Sequence, residues 1–366
     1  MKQKKLLIFM PSIEDGGVEK NLFIISNFLA NKINNVFLVT ASKKYKNKFN
    51  KKINLILPKL NMWDKLSRRI KYSVCLFLLL RKLIFEFEQD IVVLCFQANI
   101  YCIVLCKIFS IKIIVRSNSS PTGWSKNIIK NLVFKKILNK ADQIIVNSLQ
   151  FKKELRNKFQ VNSKCIYNPL NAKEIEEKAK DKSIKIFKNK RSLKIINIGR
   201  YTHQKDQITL LKGLENLDNK INYEAVFVGR GVLKDKLIDY SKNKLKKKVR
   251  FLDFVSNPYP LIKQADIFVL SSAYEGLPNV LLEATVLKKF IISTACPTGP
   301  KEILLNGKGG LLYKVGNYND LANKIVYYLN NKKKCKIMLK SAINKLHRFD
   351  YEKNLQKYLS TVYDLI

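Results

Sequence analysis

Two carboxylates eight residues apart, Glu275 and Glu283, bracket the turn Gly276-Leu277-Pro278-Asn279, which follows an apolar run at residues 265–270. A strand that ends in a turn and opens a helix points unpaired backbone N–H groups above its sheet. The helix dipole adds positive potential there, which suits a phosphate. The two glutamates flank that position and can grip hydroxyls on either side of it. A sugar nucleotide presents this order: hydroxyls, diphosphate, hydroxyls. On one continuous helix, eight residues at roughly 100° each would set the glutamates about 80° apart and two turns separated. Gly276 and Pro278 forbid that, because proline fits the first turn of a helix but not its interior. Glu275 is therefore expected in the turn, and Glu283 one turn into the helix on the face toward the cleft. A lone Glu-Gly-x-Pro is more often an ordinary acidic helix start, so the neighbouring turns decide.

Three other turns carry notable residues. Gly199-Arg200-Tyr201-Thr202-His203-Gln204-Lys205-Asp206 sets a guanidinium and an ammonium five residues apart after an apolar run, an arrangement suited to a diphosphate. Solvated surface cations are the plain alternative in a chain this rich in lysine. Gly16-Gly17 precedes a helix and lets backbone approach a ligand closely, although by itself it is an ordinary turn. Thr298-Gly299-Pro300-Lys301-Glu302 is a Gly-Pro turn leading into a helix, and would touch a ligand or merely shape a loop.

The elements that must position these turns alternate. Short apolar strands are expected at residues 6–10, 36–40, 91–96, 111–115 and 143–147, with helices at 18–31, 67–87, 100–109 and 128–140. The pattern restarts with strands at 193–198, 223–228, 249–251, 267–270 and 290–293. Helices of the second half are expected at 207–217, 232–247, 258–265, 279–287, 321–329, 332–345 and 351–365. This alternation predicts parallel sheets covered on both faces. The polar stretch 171–192 reads as a linker. It separates a domain at 1–170 from a second at 193–346, and residues 347–366 form a last helix that packs back toward the first domain. Tandem αβ domains leave a cleft, and ligands of such sheets bind outside the C-terminal strand ends.

The chain has 366 residues, enough for two domains, and its 47% hydrophobic content supplies packed cores. Lys and Arg number 69 against 28 Asp and Glu, a formal charge of +41. Such a balance suits an anionic partner, whether nucleic acid, membrane surface or phosphorylated substrate. Lysine is abundant everywhere, however, and a compositional bias of the whole genome explains it equally well. Seven scattered cysteines without a Cys-x-x-Cys fit a reducing cytoplasm, and two histidines exclude a histidine-rich metal site. The basic start runs into a glycine turn too soon for a signal peptide, and residues 91–106, the most apolar stretch, are interrupted by Gln97 and Asn99. A cytoplasmic protein is expected.

Taken together, the four turns resemble the retaining glycosyltransferases of the GT-B fold, family 4, over nearly the whole chain. That family shows, in this order, a Gly-Gly turn, a Gly-Arg…Lys loop, a Glu-x7-Glu element with Glu-Gly-x-Pro, and a Gly-x-x-Glu-Ile turn. The resemblance implies an α/β fold of two Rossmann-like αβα domains facing each other across a deep cleft. It implies that Arg200 and Lys205 neutralise the leaving diphosphate, that Glu275 holds donor-sugar hydroxyls, and that Glu283 holds the ribose hydroxyls. Gly16, Gly17, Gly199, Gly276, Leu277, Pro278, Asn279, Gly299 and Glu302 complete the implied donor site. Arg116, Asn118 and Ser119 lie on the implied acceptor side, where many members carry a histidine that this chain lacks. Gly229-Arg230-Gly231 has arginine where an acidic residue is common, and Lys288-Lys289-Phe290 replaces a usual Gly-x-Pro. Gly229-x-Gly231 lacks the third glycine of a dinucleotide fingerprint and is discounted as one.

The expected activity is transfer of a hexose or N-acetylhexosamine from a UDP- or GDP-sugar, with retention, to a lipid-linked saccharide in surface-glycan synthesis. No Asp-x-Asp is present, so no metal and no other cofactor is expected. Trp63, Lys65, Arg68, Arg69, Lys71 and Tyr72 precede the apolar residues 74–80, which suits peripheral contact with an anionic membrane at the inner face of the plasma membrane as well as it suits a core helix with a basic side. Two other classes stay open. One is a nucleic-acid binder driven by charge, although no helix-turn-helix, zinc finger or stacked-aromatic RNA motif is visible and no specific nucleic acid is expected. The other is a GT-B relative that has lost catalysis.

Overall fold

The computed structural model describes residues 5–14, 16–59, 63–64, 66–85, 91–118, 121, 124–125, 127–181, 185–245 and 248–366. The chain forms two compact units, residues 1–169 with 351–366, and residues 170–350. It thus crosses between them twice, at Pro169 and again at Asp350.

Unit 1 begins with β1 (Lys5–Phe9), α1 (Gly17–Ala30), β2 (Asn35–Val39), β3 (Ile53–Ile56), α2 (Arg68–Phe85), β4 (Ile91–Cys95) and α3 (Asn99–Ile108). It continues through β5 (Lys112–Ser117), α4 (Ile128–Leu138), β6 (Gln143–Val146), α5 (Leu149–Phe159) and β7 (Lys164–Cys165). Among the described residues its seven strands are ordered β3-β2-β1-β4-β5-β6-β7 and paired in parallel throughout. The period of two along a strand divides β1 between two cores. Leu7 and Phe9 pack with Cys75 and Leu79 of α2, Cys102 and Ile103 of α3, and Phe151 and Leu155 of α5. Leu6 and Ile8 pack with Leu22 and Ile25 of α1. Because both faces are covered, the strands read as near-continuous apolar runs rather than alternating ones.

Unit 2 comprises α6 (Ala172–Lys178), β8 (Leu193–Ile198), α7 (Gln207–Glu215), β9 (Tyr223–Val228), α8 (Lys234–Lys244), β10 (Val249–Leu252) and α9 (Tyr259–Gln264). Then follow β11 (Ile267–Leu270), α10 (Asn279–Val286), β12 (Phe290–Thr294), α11 (Gly299–Ile303), β13 (Leu311–Tyr313), α12 (Tyr318–Asn330) and α13 (Lys332–Asn344). Its parallel sheet has the order β10-β9-β8-β11-β12-β13. The last helix, α14 (Tyr351–Tyr363), returns to unit 1, where Leu355, Tyr358 and Val362 join the core lined by α1.

Residues 171–192, read above as a linker, lie within unit 2. Asn171 caps α6 by accepting from the Glu174 backbone N–H, and α6 packs on α9 and α10. The stretch before β8 is pinned by Glu224 of β9. Its carboxylate accepts from the backbone N–H groups of Lys188 (3.0 Å) and Asn189 (2.5 Å), from Ser192 Oγ (3.2 Å) and from Arg250 Nη2 (3.3 Å). Burial alone would raise the Glu224 pKa, but these four donors together hold it below the usual carboxylate value. A carboxyl with a depressed folded pKa stabilises the fold above its unfolded pKa, and that contribution is lost as pH falls through the folded value. Glu224→Ala is therefore expected to cost about 2 kcal/mol in urea unfolding at neutral pH. The difference from the parent protein should shrink as the medium is acidified below the carboxylate range. A pH-independent difference would show that the charge of Glu224 is not what pins the segment.

Candidate active site

In an open α/β sheet the place where strand order reverses leaves a crevice at the carboxyl ends of the two diverging strands. In unit 2 that reversal lies between β8 and β11, which pair directly with Ile267 beside Ile195. The loop after β8 carries Arg200 and Lys205, and the loop after β11 carries Glu275. Their meeting is therefore set by topology.

The two loops are bonded together. Lys205 Nζ donates to Glu275 Oε1 at 2.5 Å, with the side chains 17% and 7% exposed. Ser272 Oγ donates to the same carboxylate oxygen at 2.6 Å. Ser271 Oγ donates to the Lys205 carbonyl at 2.8 Å, and the Ala273 N–H to the Gln204 carbonyl at 2.8 Å. Gln207 Nε2 donates to the Arg200 carbonyl at 3.0 Å, which fixes the course of the first loop. Arg200 itself is exposed. Gly229 and Gly231 let a third loop abut the first: a Cβ on Gly229 would lie 2.0 Å from the Gly199 oxygen. That packing accounts for the Gly-x-Gly without any nucleotide fingerprint.

Glu275 lies in the turn and Glu283 in α10, whose N-cap position is Pro278. Glu283 is buried, at 5% exposed, as are Gly276, Leu277 and Pro278, while Asn279 is partly exposed. The loop after β12 supports this turn from beneath. Thr298 Oγ1 shares its single proton between the carbonyls of Glu275 (2.7 Å) and Gly276 (2.9 Å), and the Gly299 N–H donates to the Gly276 carbonyl (2.7 Å). Thr298 sits at φ 74°, ψ −131°, a costly conformation for a β-branched residue, held by those two bonds. Glu302 lies in α11, and Arg348 Nη2 donates to its backbone carbonyl. Cys296 is fully buried near Glu275; burial first, and then that charge, push its thiol pKa up to about 12. It is an inert apolar filler.

The remaining candidates belong to unit 1. Gly16 and Gly17 are exposed at the start of α1, next to the buried Glu19 of its first turn. Arg116 is 1% exposed at the end of β5. Its Nε donates to Tyr358 Oη (2.8 Å) and its Nη2 to Asn168 Oδ1 (2.7 Å), and its guanidinium lies over the Phe96 ring. Burial raises the Tyr358 pKa, and the arginine opposes that rise. In this position Arg116 fastens α14 to the sheet and lies beneath the surface, not on it. Asn118 Nδ2 donates to the Phe96 carbonyl at 2.9 Å. Ser119 and Lys65 lie outside the described residues.

Residues 15–174 match the family described as Glycosyltransferase Family 4, and residues 178–345 match Glycosyl transferases group 1. The chain is thus similar to glycosyltransferase families along both of its units. An uncharacterized glycosyltransferase of Methanocaldococcus jannaschii is 34% identical over 244 residues, which are 61% of this chain and 60% of that relative. The chain thus spans about three fifths of that relative's length. The N-acetylgalactosamine-N,N'-diacetylbacillosaminyl-diphospho-undecaprenol 4-alpha-N-acetylgalactosaminyltransferase of Campylobacter jejuni is 28% identical over 262 residues, 68% of this chain and 70% of that one. The structure of Anabaena HepE in complex with UDP-glucose superposes with a TM-score of 0.78 at 17% identity, covering 99% of this chain and 100% of that chain. At that identity the likeness shows the fold, the paired Rossmann-like domains of GT-B glycosyltransferases. The Lys205–Glu275 pair, Ser272 and Thr298 all lie in the segment that matches Glycosyl transferases group 1, the first three in the loops at the strand-order reversal and Thr298 in the loop after the neighbouring β12.

Ser271, Ser272 and Thr298 were not assigned roles from the sequence. A Ser-Ser pair directly after an apolar strand and before Glu-Gly-x-Pro was the available signal for the first two. The Gly-Pro turn that Thr298 opens was visible, but its role rests on a positive φ and on hydroxyl contacts 22 and 23 residues away, which no local pattern states.

Proposed function

We propose that the protein transfers a hexose or N-acetylhexosamine from a UDP- or GDP-sugar to a lipid-linked saccharide, with retention, in the synthesis of a surface glycan. The observation that carries this reading is the Lys205–Glu275 contact at the strand-order reversal, a cation and a carboxylate presented by two adjacent strand tips. The cation and the Arg200 guanidinium suit the diphosphate, and Glu275 suits sugar hydroxyls. As the anomeric C–O bond breaks, the electron pair stays on the diphosphate. Lys205 and Arg200 stabilise that charge more as it grows, which lowers the barrier rather than merely tightening binding. The acceptor hydroxyl bonds to the anomeric carbon from the face the nucleotide leaves, and its proton passes to the departing phosphate oxygen. Glu283, in α10, suits the ribose hydroxyls. No step requires a metal. The lipid-linked acceptor is supported by the Campylobacter relative, whose name specifies a diphospho-undecaprenol saccharide.

A panel of UDP- and GDP-sugars, followed by thermal unfolding and by nucleoside-diphosphate release with polyprenyl-diphosphate saccharides, tests the reading. One donor at about a hundred times its Kd is expected to stabilise the protein by about 2.7 kcal/mol. The same donor should yield nucleoside diphosphate only when an acceptor is present. Failure of every nucleotide sugar to shift unfolding or to turn over would remove it.

A further inference from the structure

We infer that the outer face of α2, α3 and α4 is a docking surface for an anionic lipid bilayer. Each of these helices buries one side in unit 1 and presents large apolar groups on another. On α2, Cys75, Leu79 and Leu83 are buried, while Ile70, Phe77 and Ile84 are 44%, 64% and 51% exposed. Their spacing of seven keeps those three within about 40° of one another, on the side opposite the buried strip. On α3, Tyr101 and Ile108 are exposed on the side away from Cys102, Ile103 and Cys106. On α4, Ile129 and Leu132 are exposed in the same way. Helix α3 touches both α2 and α4, so the strips are neighbours.

This is not the usual scatter of single apolar residues over a surface. Among the described residues, eleven of the nineteen large apolar side chains left exposed lie on these three helices of 18, 10 and 11 residues. The helices contain five, one and three Lys or Arg and no Asp or Glu; Arg68 and Lys107 pair with Glu14 and Asp142 of neighbouring segments and Lys71 is buried, and the others add to a net positive face. Arg69, Arg81 and Lys136 are exposed among the apolar groups. Mating two copies of such a face would set cations against cations. An anionic bilayer accepts the apolar groups at its acyl boundary and the cations at its headgroups, which satisfies both features. Among the described residues no helix is long and apolar enough to cross a membrane, so the surface would lie on the bilayer. The inference needs neither donor nor acceptor and stands apart from the proposed reaction.

Cosedimentation of the full chain with vesicles of phosphatidylcholine, with and without phosphatidylglycerol, tests it. Binding is expected to be more than about tenfold tighter with phosphatidylglycerol and to weaken with salt. Combining Phe77→Gln, Ile108→Gln and Ile129→Gln should lower vesicle affinity by at least about a hundredfold with an unchanged unfolding midpoint. Arg69→Glu with Arg81→Glu should lower it by about tenfold or more and flatten the salt dependence. The inference is overturned if the parent protein fails to bind phosphatidylglycerol vesicles at low salt, or if the triple glutamine variant binds as well as the parent. It is also overturned if the parent is a dimer that the triple variant converts to a monomer, which would assign the face to a second copy.

Discussion

Lys205→Met is expected to lower nucleoside-diphosphate release by about a thousandfold at saturating donor while unit 2 stays folded. In the proposed reaction this side chain acts late, when charge accumulates on the leaving diphosphate, so the loss should fall on kcat more than on KM. Stability changes as well, because the variant leaves the 7%-exposed Glu275 carboxylate with Ser272 as its remaining identified partner. That cost should be about 1–3 kcal/mol in chemical denaturation. The two effects separate in a double variant. Lys205→Met with Glu275→Gln removes both charges and should recover much of the lost stability, since an unpaired buried ion costs more than a missing pair. It should recover none of the rate. Rate recovery in the double variant would mean that Lys205 acts only by supporting Glu275 and does not meet the diphosphate.

The parts of this molecule that sequence made legible are those governed by local rules. The apolar runs of β1, β4, β8 and β11 could be read because sheets covered on both faces need continuous apolar strands. The shorter β3, β7 and β13 were not expected. At four, two and three residues they are edge or near-edge strands whose pairing depends on neighbours rather than on their own composition. Helix α5 was legible and was missed: Ser148 caps it, and Phe151, Leu155 and Phe159 recur every fourth residue on its buried side. Dense lysine, arginine and asparagine between those positions hid the stripe.

The candidate site divides in the same way. A strand-end loop with two cations and a turn with two carboxylates were visible as separate motifs. Their contact spans 70 residues and follows from β8 lying beside β11, which no local pattern states. Arg116 marks the converse. Its position after an apolar strand suggests a functional loop, yet its side chain is claimed by Tyr358, 242 residues further on, once α14 returns to the sheet.

Gly299→Ala is the other substitution expected to act strongly, because the turn that carries Glu275 rests directly on this residue. A Cβ at Gly299 would stand 2.2 Å from the Gly276 carbonyl oxygen, 2.7 Å from Leu277 Cα and 2.7 Å from Pro278 Cδ. The first two are backbone and the third is a proline ring, so none can swing aside as a flexible side-chain end would. The turn must move bodily, and with it the Glu275 carboxylate that Lys205 and Ser272 hold. Overpacking of this kind is expected to cost about 2–3 kcal/mol. Displacement of a substrate-positioning group by about 1 Å can cost a hundredfold in rate. Gly307→Ala provides the contrast. Its φ of +96° makes alanine strained, but nothing lies within 4 Å of the added Cβ. It should therefore lose about 1–2 kcal/mol of stability and keep its turnover. Measuring urea unfolding and nucleoside-diphosphate release for both variants distinguishes general strain in unit 2 from displacement of the Glu275 turn. Equal turnover in the two would show that the position of the turn does not depend on the missing side chain at residue 299.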